Sequence, residues 1–137
     1  VNQWGYVDMP AASAIKVMVV DDQTSMRAMI RRTLQDLGFR DVRDKASALE
    51  ALPAVQNDRV HLIISDYNMP DMDGLEFLKA VRADPIIGKT VFIMLTGSSE
   101  KSVVQKAAEL GVNNYVVKPF APAALKEKIE RVFGELS

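Results

Sequence analysis

Residues 60–66 read VHLIISD, and a helical pattern begins at about Gly74 after a short polar connection. Val60 to Ser65 is nearly all apolar, the composition of a strand covered on both faces, where a half-solvated strand would alternate. Such a strand belongs at the centre of a sheet. The helix that follows, from about Gly74 to Arg82, makes the pair a strand-and-crossover unit, which parallel neighbours require.

The same unit recurs on either side. Ile15 to Val20 (IKVMVV) is β-rich and leads into a helix with Met26, Met29, Ile30, Leu34 and Leu37 on one face, closed by Gly38. Val42 to Lys45 is a weaker second strand, and Ser47 to Gln56 reads helical through Leu49, Leu52 and Val55. Pro53 lies inside that helix. It removes one donor and crowds the preceding turn, so the second helix is predicted to be short, kinked or irregular. Thr90 to Leu95 (TVFIML) is a fourth strand, and a helix from about Ser99 to Leu110 follows it, capped by Ser98 or Ser99 and ended by Gly111. Val103, Val104, Ala107 and Leu110 form its apolar face. Asn114 to Val117 is the fifth strand, and Pro122 opens a last helix with Leu125, Ile129, Val132, Phe133 and Leu136 on one side.

Five alternating units predict a doubly wound α/β sandwich, a parallel sheet with helices on both faces. The 137 residues, 48% hydrophobic, suffice for one core and leave no room for a second domain. A net charge of −1 and apolar runs of only strand length argue against a general nucleic-acid surface or a membrane span. Cysteine is absent, which excludes disulfides and thiol catalysis, and no stretch has the form of a secretory signal. A cytoplasmic monomer with protein partners is the expectation. Residues 1–14 (VNQWGYVDMPAASA) lack either periodicity and are expected to form a flexible arm preceding a domain over 15–137. Docking of Trp4, Tyr6 and Val7 onto the domain is the alternative.

In such a sheet, ligands bind beyond the carboxyl ends of the strands, where successive crossovers turn to opposite faces. There the first strand ends in Asp21 and Asp22, the third in Asp66 and the fourth in Thr96, while the fifth runs into Lys118 and Pro119. Three carboxylates on one rim repel each other unless a cation offsets them. Mg²⁺, which takes one or two carboxylates, a carbonyl and several waters, meets that need, and Mn²⁺ can substitute. With Lys118 as a point charge and Thr96 as a hydroxyl donor, the set suits phosphoryl transfer, which needs charge stabilisation more than covalent help. Asp66, at the end of the most apolar strand, is the natural acceptor, since a carboxylate can carry a phosphoryl group as an acyl phosphate. Each residue alone has a plainer reading: Asp21 or Asp22 as helix cap, Thr96 as turn residue, Lys118 as solvated lysine. Their joint placement carries the inference. His61, within the third strand, reads as structural, and Arg27, Arg31 and Arg32 read as a solvated helix face.

The segments VMVVDDQTSMR, LIISDYNMPDMDGLEFL, FIMLTG and NNYVVKPF resemble those of response-regulator receiver domains, especially the CheY-type chemotaxis proteins. The resemblance spans about Ile15 to Leu136. It implies a flavodoxin-like fold with strand order 2-1-3-4-5. By the same resemblance Asp66 is the phosphoacceptor, loaded from a histidine kinase of the CheA type. Asp22 and Asp66 bind Mg²⁺ directly, Asp21 holds it mainly through water, and the backbone carbonyl of Asn68 completes the protein ligands. Lys118 pairs with the phosphoryl oxygens, and the Lys118–Pro119 bond is expected to be cis. Thr96 and Tyr115 form the switch that reshapes the face of helix four, strand five and helix five. The implied target is a FliM-type flagellar motor switch protein, with a phosphatase as a further possible partner. A regulatory role follows, with no separate substrate turned over.

This chain departs from the family pattern after strand two, where Ala46, Ser47 and Ala48 replace the usual acidic residue and glycine. Tyr67 follows the acceptor where the enteric-type protein has tryptophan, so Trp4 is a doubtful fluorescence reporter. Asn68 and Ser98 flank the path of an attacking water. A relay intermediate or phosphate sink would use the same chemistry. A phosphatase of the haloacid-dehalogenase type would need an acid at position 68, and an amide cannot donate that proton. A flavin site would set its phosphate against Asp21 and Asp22. No output domain is expected after Leu136, and the signal is expected to pass by protein contact or onward phosphotransfer.

Overall fold

Successive side chains of a strand point to opposite faces, and in the central strands both sets are mostly apolar. A computed structural model describes residues 11–97 and 101–136 of the chain. Its elements are β1 (Lys16–Val20), α1 (Thr24–Asp36), β2 (Asp41–Lys45), α2 (Ala48–Asn57), β3 (Leu62–Asp66), α3 (Gly74–Ala83), β4 (Val91–Thr96), α4 (Lys101–Glu109), β5 (Asn114–Val117) and α5 (Pro122–Phe133). Among the described residues the strands form one parallel sheet ordered β2-β1-β3-β4-β5, the flavodoxin-like order.

The alternation divides the interior into two cores. Val17, Val19, Leu62, Ile64, Ile93 and Leu95 face α1 and α5, where Ile30, Leu34, Leu125, Ile129 and Phe133 meet them. Met18, Val20, Ile63, Phe92 and Met94 face α2, α3 and α4, against Val55, Phe77, Leu78 and Ala107. All of β3 is buried, as its apolar run predicts. The chain leaves β1 on the α1 side and reaches β3 through α2 on the other. The two strands therefore bracket the switch point of the sheet.

Several helix ends follow from single residues. Gly38 (φ 103°) and Gly111 (φ 87°) terminate α1 and α4 in the left-handed conformation that glycine adopts without strain. Pro122 stands in the first turn of α5. Ser47 caps α2, its hydroxyl accepting the Glu50 N–H at 3.2 Å. The serines expected to cap α4 lie outside the described residues.

The structure corrects three details. Pro53 does not shorten α2, which runs from Ala48 to Asn57 across it. Pro53 and Leu49 both lie on the solvent side, so the Leu49 carbonyl that loses its donor faces water, while buried Ala51 and Val55 anchor the helix. Leu49 (54% exposed) and Met29 (44% exposed) stand outside the cores, which Ala48, Ala51 and Thr33 help to fill instead. The arm anticipated over 1–14 falls mostly on residues outside the described ones, Trp4 among them. At its end the structure differs: Ala12–Ala14 forms a 3₁₀ turn and Ala12 is buried in the α1/α5 core. A small apolar residue needs no periodicity to be buried.

His61 precedes β3 and has a structural part. Its Nδ1 accepts the Lys16 N–H at 2.9 Å, and its own N–H donates to the Lys16 carbonyl at 2.9 Å. Burial, with the charges of Lys16 and Arg59, holds its pKa below the ordinary value.

Two outcomes follow. Pro53→Ala restores one helical hydrogen bond on an exposed face and is expected to raise unfolding free energy in urea by roughly 1–2 kcal/mol, after the loss of proline's unfolded-state restriction. Because folding lowers the His61 pKa, the unfolded chain binds the proton first as pH falls below about 6.5. Stability should therefore decline between about pH 7 and 5.5 in the wild type relative to His61→Gln, measured by denaturation across that range.

Candidate functional site

The carboxyl ends of β1 and β3 meet at the switch point, and they carry the acids. Oxygen atoms of Asp21, Asp22 and Asp66 all lie within 4.8 Å of one another. Asp21 and Asp66 are buried and Asp22 is exposed. Lys118, delivered by the end of β5, places Nζ 3.1 Å from an oxygen of each buried acid. The backbone brings it there: the Lys118 N–H donates to the Thr96 carbonyl at 2.8 Å, and the Lys118–Pro119 bond is cis, as the resemblance implies.

Asp21 is held at every polar atom. One carboxylate oxygen accepts the Gln23 N–H at 2.9 Å, the other faces Lys118, and its carbonyl accepts from Arg27 Nη1 at 2.7 Å. Its N–H donates to the Lys45 carbonyl at 3.3 Å. Asp21 is not a helix cap: the N-cap of α1 is Gln23, without a side-chain cap bond, and the Asp21 oxygen closes the turn before it. Burial pushes the Asp66 carboxyl above the usual carboxylate range and the Asp21 charge adds to this, while Lys118 and the Asn68 N–H oppose it. Three carboxylates and one ammonium leave two negative charges at the cleft when all are ionised. A single divalent cation of the hard, oxygen-seeking kind neutralises them, so the donor set fits Mg²⁺ or Mn²⁺.

Asp22 and Asp66 line a cleft of about 930 Å³ together with Asn68, Met69, Thr96 and Lys118, and Asp21 is buried behind them. Asn68 is exposed at its edge, and Thr96 is buried at the end of β4. Tyr115 is not in the cleft. It is half-buried on β5, packed at the margin of the α2/α3/α4 core, with the Lys128 ammonium 5.8 Å from its ring centre. Ser98 lies outside the described residues.

Two features escaped the sequence reading. Gly74 opens α3 against the end of β3, and a Cβ there would stand 2.6 Å from the Asp66 carbonyl oxygen and 2.8 Å from Tyr67 Cα. The helix is locked by a reciprocal cap in which the Asp73 carboxylate accepts the Glu76 N–H and the Glu76 carboxylate accepts the Asp73 N–H. The spacing Asp73-Gly74-x-Glu76 was the available signal. The second is a correction: Arg27, Arg31 and Arg32 are not one solvated face. Arg27 (side chain 16% exposed) and Arg31 pair with Asp44 at 3.1 and 2.9 Å, and only Arg32, with Asp36 at 4.0 Å, is fully at the surface. Asp44 sits on a strand rather than on the helix, so helix periodicity could not reveal the pair.

Residues 17–130 match the response regulator receiver domain, and the chain belongs to that regulatory family. Among its relatives, a probable chemotaxis protein CheY of Rhizobium etli is 42% identical over 93% of this chain and 99% of its own. The chemotaxis protein CheY of Pseudomonas aeruginosa is 40% identical over 90% of this chain and 99% of its own. The solved structure of Vibrio cholerae chemotaxis protein CheY4 superposes with a TM-score of 0.81 at 42% identity, covering 86% of this chain and 98% of that one. Among the described residues no helix is long and apolar enough to cross a membrane.

Gly74→Ala has only backbone and the Met94 sulfur to push against, so it should cost about 1–3 kcal/mol in urea unfolding and shift the Tyr67 and Asn68 amide resonances. Wild-type stability with unmoved resonances would mean that α3 can slide without disturbing Asp66.

Proposed function

We propose that this chain is a phosphorylation-controlled switch whose acceptor is Asp66. The observation that carries the reading is the Lys118 ammonium 3.1 Å from both Asp66 and Asp21, in a cleft where three acids converge. A carboxylate oxygen of Asp66 attacks the phosphorus of a kinase phosphohistidine. The P–O bond forms as the P–N bond breaks, and the imidazole leaves with the electron pair and takes up a proton. Asp22, Asp66 and the Asn68 carbonyl would hold Mg²⁺ directly, and Asp21 would hold it through water. The ion supplies neutralisation of charge on the transferring group. Lys118 stabilises the same charge from the β5 side. The domain acts on itself and turns over no separate substrate.

Phosphorylation places an anion beside Thr96, whose hydroxyl moves toward it, and Tyr115 turns inward. The half-buried position of Tyr115 supports this, since it leaves the ring two environments to choose between. The new charge selects one of two packings of the α4–β5–α5 face by its different contacts with each. Chemotaxis relatives favour a CheA-type histidine kinase as donor and a FliM-type flagellar motor switch protein as target, in the cytoplasm.

The test is a titration of the amino-terminal peptide of a flagellar motor switch protein, with and without Mg²⁺ and beryllofluoride as phosphoryl mimic. Binding should tighten by about 5–150-fold with the mimic, the usual span of coupling between two sites, and Asp66→Asn should abolish the gain. Equal weak binding in all states, with Asp66 still phosphorylated by a small acyl phosphate in intact-mass analysis, would assign the chain to a relay or a phosphate sink.

A further inference from the structure

Arg27 binds the main chain of Asp21 behind the acidic cleft, and its ion pair is with Asp44 rather than with any of the three carboxylates. Its Nη1 donates to the main-chain carbonyl of Asp21 at 2.7 Å, while Nε donates to Asp44 Oδ2 at 3.1 Å and Nη2 reaches Thr24 Oγ1 at 3.4 Å. Arg31 takes the other oxygen of Asp44 at 2.9 Å, which leaves that carboxylate engaged on both sides. The fork therefore joins three elements: α1, which carries it, the end of β2 through Asp44, and the β1–α1 turn through Asp21. That turn also carries Asp22. Asp21 pairs with Lys45 across the sheet by its N–H alone, at a long 3.3 Å, so Arg27 is the main restraint on its carbonyl side.

We propose that Arg27, oriented by Asp44, is a positioning residue for the divalent-cation site: it fixes the β1–α1 turn so that Asp21 and Asp22 face Asp66. This inference rests on the cation reading of the cleft. Two effects of removing Arg27 have opposite signs, which makes the proposal decidable. A guanidinium bound to the Asp21 main chain opposes cation binding through its charge, so removing it for electrostatic reasons alone would tighten Mg²⁺ binding. A loosened turn would weaken it, because the acids would then have to be ordered when the ion binds.

The measurement is a Mg²⁺ titration of the whole chain followed by amide resonances, at fixed ionic strength. Wild type, Arg27→Ala, Arg27→Lys, Asp44→Asn and the surface control Arg32→Ala are compared, with thermal unfolding of each metal-free protein. Arg27→Ala is expected to weaken Mg²⁺ about tenfold, at the low end for groups that orient metal ligands. Arg27→Lys keeps the charge but not the planar fork, and should lose most of the same affinity. Asp44→Asn should follow in the same direction, with Arg32→Ala unchanged. Unchanged or tighter binding in Arg27→Ala overturns the proposal, as does full affinity in Arg27→Lys, which would mean that the planar fork is not what orders the turn. If the wild type itself binds no Mg²⁺, the cation reading and this inference fall together. Should Arg27→Ala fail to fold, Arg27→Lys and Asp44→Asn decide the question.

Discussion

Mutual repulsion of like charges at the end of a parallel sheet governs this structure. Buried Asp21 and Asp66 present oxygens within 4.8 Å, a repulsion of roughly 3 kcal/mol at an effective dielectric of about 20. Folding tolerates the pair because Lys118 stands 3.1 Å from each, and each contact is worth about 5 kcal/mol of attraction on the same scale, before desolvation of the three groups is subtracted. Lys118 therefore has a structural duty in the protein without metal. Its reach depends on β5 lying next to β4 and on the Lys118 N–H bound to the Thr96 carbonyl. The order of the sheet and the chemistry of its rim are in this sense one constraint.

The sandwich was legible because its central strands β1, β3 and β4 are apolar on both faces, a pattern that period and length resolve. The rim residues were legible because they stand directly after those strands, and topology alone gathers Asp21, Asp22, Asp66, Thr96 and Lys118. Less legible was which helical residues are buried. Leu49 and Met29 are large and apolar yet exposed, while Ala12, Ala48 and Ala51 are small and fully covered. Close approach of α2 to the sheet selects small residues at the contact, and size then ceases to track burial. Pro53 belongs with these cases, since its cost depends on whether the orphaned carbonyl meets solvent, and that is set by the helix's orientation.

Long-range polar pairs were invisible for a different reason. Arg27 meets Asp44 seventeen residues away, and Arg82 donates to the carbonyls of Thr90 at 2.6 Å and Gly111 at 2.9 Å. Arg82 also bonds the Asn113 side chain, which in turn accepts the Phe92 N–H, so the α4–β5 turn is fastened to the sheet. Burial lowers the Arg82 pKa, and its compensation is carbonyl oxygens instead of a carboxylate. Such a clamp leaves no periodic or spacing signal in the sequence.

These clamps divide the rim into unequal halves. Asp21 is bound at four atoms, and α3 is capped against Asp66 with no space even for a methyl group at Gly74, so the acid side is rigid. On the other side Lys118 divides itself between two acids, and Tyr115 lies at the edge of a core rather than in it. On the proposed reading, a phosphoryl group on Asp66 competes with Asp21 for the ammonium. Because Lys118 and Thr96 are joined through the backbone, that competition is felt on β4 and β5 together. A rigid acid side has a physical purpose here: when one half of a site cannot yield, the free energy of a new charge is expressed in the half that can.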